Sequence, residues 1–501
     1  MLLMPSKHIG SYSRPDNFFS WLSAAILLVM LSVPLFGNER DLDIVSIALF
    51  ACGIFGVVML WVSMADAPYS LKQVHWVFYV TNFAVAPLFQ YTSGVWPWGY
   101  IPANDQVLQV CALVFLWGVI FAIVSGRTIF VNQTHDIDNI HWLSQKMTFN
   151  LTPMARFILP LGCILSFVLL VAIVGFGNMF LRTTNTTELD SSSLALVIGI
   201  CPRAFVFGSF ALLLLNARRE RRYYGGVFIA GACLILTCFP TAMARFNVAA
   251  IYLGIAILVF PAFSKKRGLF AFFLVLGYLV AYPLFNAFKY IGAAASVEEA
   301  ITTIFNSMTA GYTSGNYDAF SLMFWCADYL SQFGCTYGRQ LLGAVLFFVP
   351  RSFWPNKPVP SGQLVFSSFH YPFTDLAFPL PFEGCLNFGF IGLPLFALAY
   401  GLVVRILDEK YWKNRMRHFG DSPSTLLIYY PFLLCLTFYM LRGAMMTTFT
   451  YIFGDLAVMA LLHFIADLLN RKREERKYDC EKGILSHSNR QVGLDETSAF
   501  K

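Results

Sequence analysis

Long apolar stretches recur along the whole chain, and short polar segments separate them. Each stretch has about the 20 residues that a helix needs to cross the hydrocarbon core of a membrane. The first stretch is too long for a removable signal peptide and lacks a small-residue cleavage site, so we expect a retained span. The pattern predicts twelve membrane-spanning helices, at residues 18–36, 44–64, 76–92, 105–125, 155–176, 194–215, 225–241, 246–263, 269–287, 384–404, 425–441 and 448–468.

One segment between spans is much longer than the others. Residues 288–383, between predicted spans 9 and 10, are rich in aromatic residues and proline. A long ordered loop between helices rarely serves only as a connection, so we expect the chemistry here. The chain is predicted to be an all-α polytopic membrane protein, with a single transmembrane domain at residues 1–469 that includes this loop. The charged residues 470–501 are predicted to form a disordered cytoplasmic tail.

The distribution of Lys and Arg predicts the orientation of the chain. The sequence is 57% apolar and 13% charged, with a formal net charge of +7. If both termini are cytoplasmic, 25 of the 35 Lys and Arg residues fall on the cytoplasmic side and eight on the other. This asymmetry follows the positive-inside rule, so it predicts cytoplasmic termini and an extracytoplasmic long loop. Because orientation explains the net charge, the charge does not indicate binding to nucleic acid.

The cysteine and histidine pattern does not predict a metal site. Eleven cysteines are scattered mainly through apolar stretches, where a thiol behaves as a small hydrophobic group. No Cys or His pair has the spacing of metal ligands, so no metal cofactor is expected. Cys326 and Cys335 share the long loop, where a disulfide could form if that side is oxidising.

Seven cations on the outer side are not explained by orientation: Arg182, Arg245, Lys289, Arg339, Arg351, Lys357 and Arg442. Arg245 and Arg442 lie in tight turns between predicted spans, where an unpaired cation is costly unless it binds an anion or extends to lipid phosphates. Arg351 and Lys357 lie in PRSFWPNKP, where three prolines stiffen the backbone. Because Arg and Lys both bind phosphate oxygens, these residues predict a pyrophosphate site at the membrane surface. The alternative for the proline-rich segment is an interfacial loop that fixes the chain to the membrane.

Three further residues complete the candidate site. Arg203 lies about a third of the way into its predicted span, as either a phosphate ligand or the partner of a buried carboxylate. Glu383 comes directly before a predicted span, which places its carboxylate near the membrane surface, and His370 lies in the same loop. Either side chain can act as a general base towards a sugar hydroxyl. Aromatic residues in the outer segments fit sugar binding or an interfacial belt.

Three segments resemble a known family. They are NYDAFSLMFW (Asn316 to Trp325), GRQLLGAVLFFVPRSFWPNKP (Gly338 to Pro358) and FEGCLNFGFIGLP, which precedes a span. In this order they resemble the bacterial oligosaccharide repeat-unit polymerases, the Wzy-type polymerases of O-antigen and capsule. The arginine in a tight outer turn and the Arg442–Gly443 pair in the last outer turn are similar too. The resemblance covers about 90 residues, and PR-x-x-WP-x-KP is its most specific part.

The resemblance implies a metal-independent inverting glycosyltransferase with a GT-C-like fold in the bacterial inner membrane. Its donor and acceptor would be glycans on undecaprenyl pyrophosphate, and a protein that regulates chain length is an implied partner. Arg351, Lys357, Arg245 and Arg442 would bind the pyrophosphate and stabilise the leaving group, and Glu383 or His370 would activate the acceptor hydroxyl. The rival interpretations are an O-antigen ligase with a similar architecture, and a lipid-linked oligosaccharide flippase or other transporter.

Overall fold

The computed structural model describes residues 17–36, 42–126, 154–180, 193–218, 220–283, 311–374, 376–417 and 425–466, together with residues 151, 298 and 468. All the regular elements in these ranges are helices. Eight of the helices are long and apolar enough to cross a membrane, which confirms the prediction of an all-α polytopic membrane protein. The predicted tail and most of the long loop before residue 311 lie outside the described residues.

A helix is present at each of the twelve predicted spans. At four of them, 76–92, 225–241, 246–263 and 269–287, no helix is long enough to span a membrane, so the structure supports eight spans by length and composition. The first half contains α1 (Phe18–Phe36), α2 (Ile44–Asp66), α3 (Leu71–Val80), α4 (Ala86–Ser93), α5 (Asn104–Ser125), α6 (Ala155–Val174), α7 (Ser193–Ala217), α8 (Tyr224–Thr237) and α9 (Arg245–Val259). The second half contains α10 (Leu269–Leu276), α11 (Leu322–Phe333), α12 (Arg339–Val345), α13 (Ser361–Ser368), α14 (Leu380–Phe388), α15 (Gly392–Arg417), α16 (Thr425–Arg442) and α17 (Met445–Ala466).

Two π-helical turns interrupt the apolar helices and contact each other. One, Thr81–Val85, joins α3 to α4, and the other, Gly277–Ala281, follows α10. The Tyr278 hydroxyl in the second turn donates to Asn82 Oδ1 in the first at 2.9 Å. Because a π turn widens the helix and frees backbone groups, such turns are frequent near functional sites. The second turn supplies Tyr278 to the candidate site described below.

The described part of the long loop folds onto one end of the bundle, which we call the loop end. Its short helices α11, α12 and α13 pack together with α14. The Gln90 side chain, near the end of α4, donates to the carbonyls of Tyr312 and Tyr317 at 2.8 and 2.9 Å. The Thr336 amide donates to the Leu386 carbonyl at 2.8 Å. These contacts fix the loop as a structured cover rather than a flexible connection.

The predicted span 384–404 has different boundaries in the structure. Two helices occupy this region: α14 begins before the predicted end of the loop, and a tight turn at Gly389–Ile391 separates it from α15. A Cβ atom on Gly384 would lie 2.5 Å from the Gly392 carbonyl oxygen, so the two helices can approach this closely only with glycine there. Hydropathy cannot detect this break, because the residues on both sides of it are apolar.

The opposite end of the bundle is closed by a buried carboxylate. The sequence assigned the residues after 404 to a cytoplasmic loop, but α15 continues through them to Arg417. Asp408 is fully buried there and accepts hydrogen bonds from the Leu71 amide at 3.1 Å and the Tyr430 hydroxyl at 2.5 Å. The free amides at the start of a helix favour a carboxylate, which explains why α15 extends to meet α3.

Candidate functional site at the loop end

The centre of the site is an ion pair between Arg442 and Asp318. Arg442 is the last residue of α16, and Asp318 belongs to the folded loop. Arg442 Nη2 donates to Asp318 Oδ1 at 3.1 Å and to the Gly315 carbonyl at 2.7 Å. The Asp318 side chain is only 1% exposed, whereas the Arg442 side chain keeps 20% of its surface exposed. The pair therefore fixes the loop to the turn between α16 and α17 while part of the guanidinium remains accessible.

Arg245 reaches the same place from the turn before α9. Its guanidinium carbon lies 4.4 Å from the centre of the Tyr282 ring, and its Nη1 donates to the Tyr282 carbonyl at 3.2 Å. Tyr282 packs against Tyr278 with ring centres 5.2 Å apart, and both rings are within electrostatic range of Arg442. The two arginines that the sequence placed in tight turns thus converge on one tyrosine pair. We call Arg245, Tyr278, Tyr282, Asp318 and Arg442 the arginine cluster.

Hydrogen bonds connect the arginine cluster to the segment that carries His370. Trp98 Nε1 donates to Asp318 Oδ2 at 2.9 Å, and the Tyr371 hydroxyl donates to the Trp98 carbonyl at 3.2 Å. His370 precedes Tyr371 in the chain, is exposed, and has a left-handed backbone with φ of 54°. Trp98 is also left-handed, with φ of 64°. Left-handed residues other than glycine are strained and concentrate at functional sites, which favours His370 as the accessible base of the two predicted.

Glu383 is enclosed by protein groups. It is 1% exposed; its Oε2 accepts from the Ser361 hydroxyl at 2.7 Å, and its Oε1 accepts from the Met445 amide at 3.0 Å. The sequence placed this carboxylate at the membrane surface, but the early start of α14 brings it to the first residue of α17, where a free amide attracts an anion. Glu383 therefore joins α13, α14 and α17, and it holds the turn that carries Arg442.

The two cations of the proline-rich segment bind backbone carbonyls. Lys357 is 6% exposed, and its Nζ donates to the carbonyls of Phe347 at 2.6 Å and Val349 at 3.0 Å. Burial and the nearby charge of Arg351 both lower the pKa of Lys357. Arg351 is exposed and donates to the carbonyls of Lys357 and Pro358 at 2.8 and 3.2 Å. Lys357 therefore holds the backbone of the segment, and Arg351 is the cation of the two that faces outwards.

The proline-rich segment also lies beside the start of α17. A Cβ atom on Gly343 would overlap the Pro358 ring and would lie 2.9 Å from Met446 Cε, so Pro358 and Met446 flank this glycine. Met446 is four residues after Arg442. The structure thus gathers the proline-rich segment, Glu383 and Arg442 around the first residues of α17.

Replacing Lys357 with methionine is expected to loosen this segment. Methionine keeps the apolar stem but loses both hydrogen bonds from Nζ, and a hydrogen bond to a charged group contributes about 1.5–3 kcal/mol. We expect backbone amides in residues 346–358 to exchange hydrogen with solvent about 10- to 100-fold faster, measured by mass spectrometry on the purified protein. Lys357→Arg, which keeps a charged donor, is the matched control. Unchanged exchange in the methionine variant would contradict this structural role.

Arg203 lies in a separate cavity that includes no residue of the arginine cluster. Its Nε donates to the Thr237 carbonyl at 3.1 Å and its Nη1 to the Gly199 carbonyl at 3.0 Å. An acid, Asp455, lines the same cavity. In the part of the chain that the structure describes, no ion pair joins the two residues. The structure therefore separates Arg203 from the other predicted phosphate ligands.

No family model, curated protein or solved structure matches this chain. The resemblance to the repeat-unit polymerases accordingly stays a prediction. Among the described residues, no three His, Cys, Asp or Glu side chains come together as a possible metal site. Cys326 and Cys335, which could have formed a disulfide, are free thiols.

Sequence reasoning missed several residues of the site. Tyr278 and Tyr282 fall inside a predicted apolar span, where a tyrosine gives no distinct signal. Asp318 was recognisable as one of several acids in the long loop, but its ion pair with Arg442, 124 residues away, was not predictable. Asp455, in the separate cavity with Arg203, could have been found from the sequence, because it is an acid within the predicted span 448–468. An ionisable residue inside a span is costly and is usually functional.

Proposed function

We propose that this protein polymerises oligosaccharide repeat units that are carried on undecaprenyl pyrophosphate. In this reaction the growing glycan is transferred as a block from its lipid carrier to a hydroxyl of the next lipid-linked unit, and undecaprenyl pyrophosphate leaves. The observation that carries the proposal is the arrangement of the two arginines: Arg442 is bonded to Asp318 and Gly315 of the folded loop, and Arg245 is bonded to Tyr282, which packs against Tyr278. The cluster contains two guanidinium groups, and guanidinium groups bind phosphate oxygens through paired hydrogen bonds, which suits a pyrophosphate.

The arginine cluster has the properties that departure of a pyrophosphate requires. Negative charge builds up on the leaving oxygen as the glycosidic bond breaks, and fixed cations in a water-poor site stabilise that charge without reorganising. Asp318 holds Arg442 in place through a direct ion pair, so that little of its side-chain freedom remains to be lost on binding. Arg351, exposed at the edge of the proline-rich segment, is the third cation available to the substrate.

His370 is the proposed base in this scheme. As the acceptor hydroxyl attacks the anomeric carbon, an imidazole nitrogen takes its proton, the bond to the pyrophosphate oxygen breaks, and the configuration inverts. His370 is exposed, and its neighbour Tyr371 is bonded to the network that ends at Arg442. Glu383 supports the reaction indirectly, because both of its oxygens hold protein groups that position the Arg442 turn.

Gel analysis of surface glycans in a strain that lacks this gene tests the proposal. We expect the empty strain to lose the polymer ladder and to keep a single capped repeat unit, and wild-type protein to restore the ladder. Arg245→Gln should fail to restore it. Arg339→Gln is the matched control and should restore it, because Arg339 is an exposed loop arginine that donates to the Asn356 carbonyl, away from the arginine cluster.

The same gel separates the proposed polymerase from its rivals. Loss of every capped band, including the single unit, would indicate a ligase. Failure of the lipid-linked unit to reach the outer leaflet would indicate a flippase. A normal ladder from Arg245→Gln at normal protein level would contradict the proposed role of the arginine cluster.

A further inference from the structure

A second polar site lies inside the helix bundle. It is a cavity between α7, α9, α16 and α17 that is partly open to the surroundings. Its apolar lining includes Phe207, Ile251 and Phe432. Its polar lining comes from Arg203, Asn247, Tyr451 and Asp455. An apolar pocket with a few convergent polar groups is the usual form of a small-ligand site.

Asp455 is the unusual member of this lining. The residue is 7% exposed and lies in the middle of α17, one of the helices long enough to span a membrane. Within the described residues its carboxylate has no hydrogen-bond partner and no ion-pair partner. A buried charge is normally paired, because removing it from water is costly. The carboxylate is therefore placed to receive a group from within the cavity.

Arg203 presents the opposite charge to the same cavity. Two of its nitrogens bind the carbonyls of Thr237 and Gly199, which fix the guanidinium on the wall but do not neutralise it. Its distance from Asp455 exceeds the limit of an ion pair, so the two charges are separated across the space. Neither side chain thus has an ion-pair partner among the described residues.

This arrangement selects for a ligand that carries both charges. A ligand with only negative charge would be attracted by Arg203 but not by Asp455. A ligand with only positive charge would be attracted by Asp455 but repelled by Arg203. A neutral polyol would supply hydrogen bonds but no opposite charge to Arg203 or Asp455. A zwitterion compensates both, and the aromatic faces of Phe432 and Tyr451 add favourable contacts to an ammonium group.

We propose that this cavity binds a zwitterionic group, with its ammonium against Asp455 and its phosphate or carboxylate against Arg203. Two sources have this chemistry: the head group of a phosphatidylethanolamine lipid, and a free zwitterionic solute such as an amino acid. The proposal does not depend on the proposed function, because no residue of the arginine cluster lines this cavity. The site is therefore distinct from the arginine cluster.

Thermal unfolding of the purified full-length protein in detergent tests the charge requirement. The soluble probes are glycerophosphoethanolamine and alanine, which carry both charges, with ethanolamine, glycerol 3-phosphate and glucose as comparisons. In parallel, native mass spectrometry measures binding of phosphatidylethanolamine and of phosphatidylglycerol with the same acyl chains. We expect the zwitterionic lipid to bind about tenfold more tightly than the anionic one, since a hydrogen bond to a charged group is worth at least that factor.

Variants then assign the binding to the cavity. Asp455→Asn keeps the shape of the side chain and should reduce the tenfold preference for phosphatidylethanolamine over phosphatidylglycerol to about twofold or less. Arg203→Gln should have the same effect. Leu461→Ala is the matched control, because Leu461 lies on the same helix and is exposed on its surface; it should keep the wild-type preference. A higher unfolding temperature in the presence of soluble zwitterions would identify a site that is open to solutes. Binding of the zwitterionic lipid without any effect of the soluble zwitterions would identify a head-group site.

Two results would overturn the proposal. The first is that glucose, or a probe with one kind of charge, raises the unfolding temperature as much as the zwitterionic probes do, and that wild-type protein binds the two lipids equally. The second is a full preference for the zwitterionic lipid in a folded Asp455→Asn variant. The wild-type measurements decide the first question even if a cavity variant does not fold.

Discussion

Replacing Arg442 with alanine is expected to abolish polymer formation and to destabilise the loop end. The substitution removes the partner of Asp318, whose carboxylate is 1% exposed and would keep only the Trp98 indole donor in the described structure. Loss of one partner from a buried ion pair costs about 3–5 kcal/mol, and the partial exposure of Arg442 favours the lower end. We expect a lower apparent melting temperature in detergent and loss of the glycan ladder at matched protein level.

A double variant separates the structural from the chemical role of Arg442. In Arg442→Ala/Asp318→Asn the unpaired charge is gone, and the oxygen of the new side-chain amide can still accept from Trp98, so stability should largely return. The ladder should stay absent, because the cation that is proposed to bind pyrophosphate is still missing. Recovery of both stability and ladder would show that Arg442 acts only by holding the loop.

Replacing Glu383 is expected to lower the stability of the protein and its activity by an amount that depends on the new side chain. Alanine leaves the Met445 amide and the Ser361 hydroxyl without their acceptor in a buried place, at a cost of about 1–3 kcal/mol for each unsatisfied group. We expect Glu383→Ala to melt at a lower temperature and to lose the ladder. Glu383→Gln should stay folded, because its carbonyl accepts from Met445 and the Ser361 hydroxyl can accept from its amide group.

The glutamine variant decides whether Glu383 is a positioning residue or the base. Because both oxygens of Glu383 bind protein donors, we expect Glu383→Gln to retain the glycan ladder. We expect His370→Gln to lose the ladder, because it removes the proposed base. The melting temperatures of both variants should stay near that of wild type, which is the control for folding. A folded Glu383→Gln that makes no polymer, beside an active His370→Gln, would reverse the assignment of the base.

Hydropathy predicted where the long apolar helices lie, because burial of apolar side chains in a membrane decides helix formation there. It did not predict where helices break. The π turn at Gly277–Ala281 and the turn at Gly389–Ile391 are as apolar as their surroundings, and the π turn at Thr81–Val85 differs only by Thr81 and Asn82. These breaks depend on contacts between distant segments, such as the hydrogen bond from Tyr278 to Asn82, which no local pattern records.

Residues of the candidate site could be predicted from the sequence where a charged side chain lies between two apolar membrane spans. Arg245 and Arg442 could be found because a cation between two spans is costly, and the structure brings both to one tyrosine pair. Lys357 and Glu383 differ, because their contacts with backbone groups of the loop and of α17 arise only from the tertiary fold. Spacing in the sequence cannot distinguish a ligand-binding charge from one that fixes the backbone.

The bond from Glu383 to the Met445 amide has a consequence for biosynthesis. A polypeptide enters the membrane from its N-terminal side, so the folded loop and α14 leave the ribosome before α17 exists. Until α17 is inserted, the carboxylate of Glu383 lacks its amide partner, and the turn after Arg442 lacks the support that this bond gives. Completion of the loop end therefore waits for α17, and we expect nascent chains that stop short of it to be more sensitive to proteolysis there.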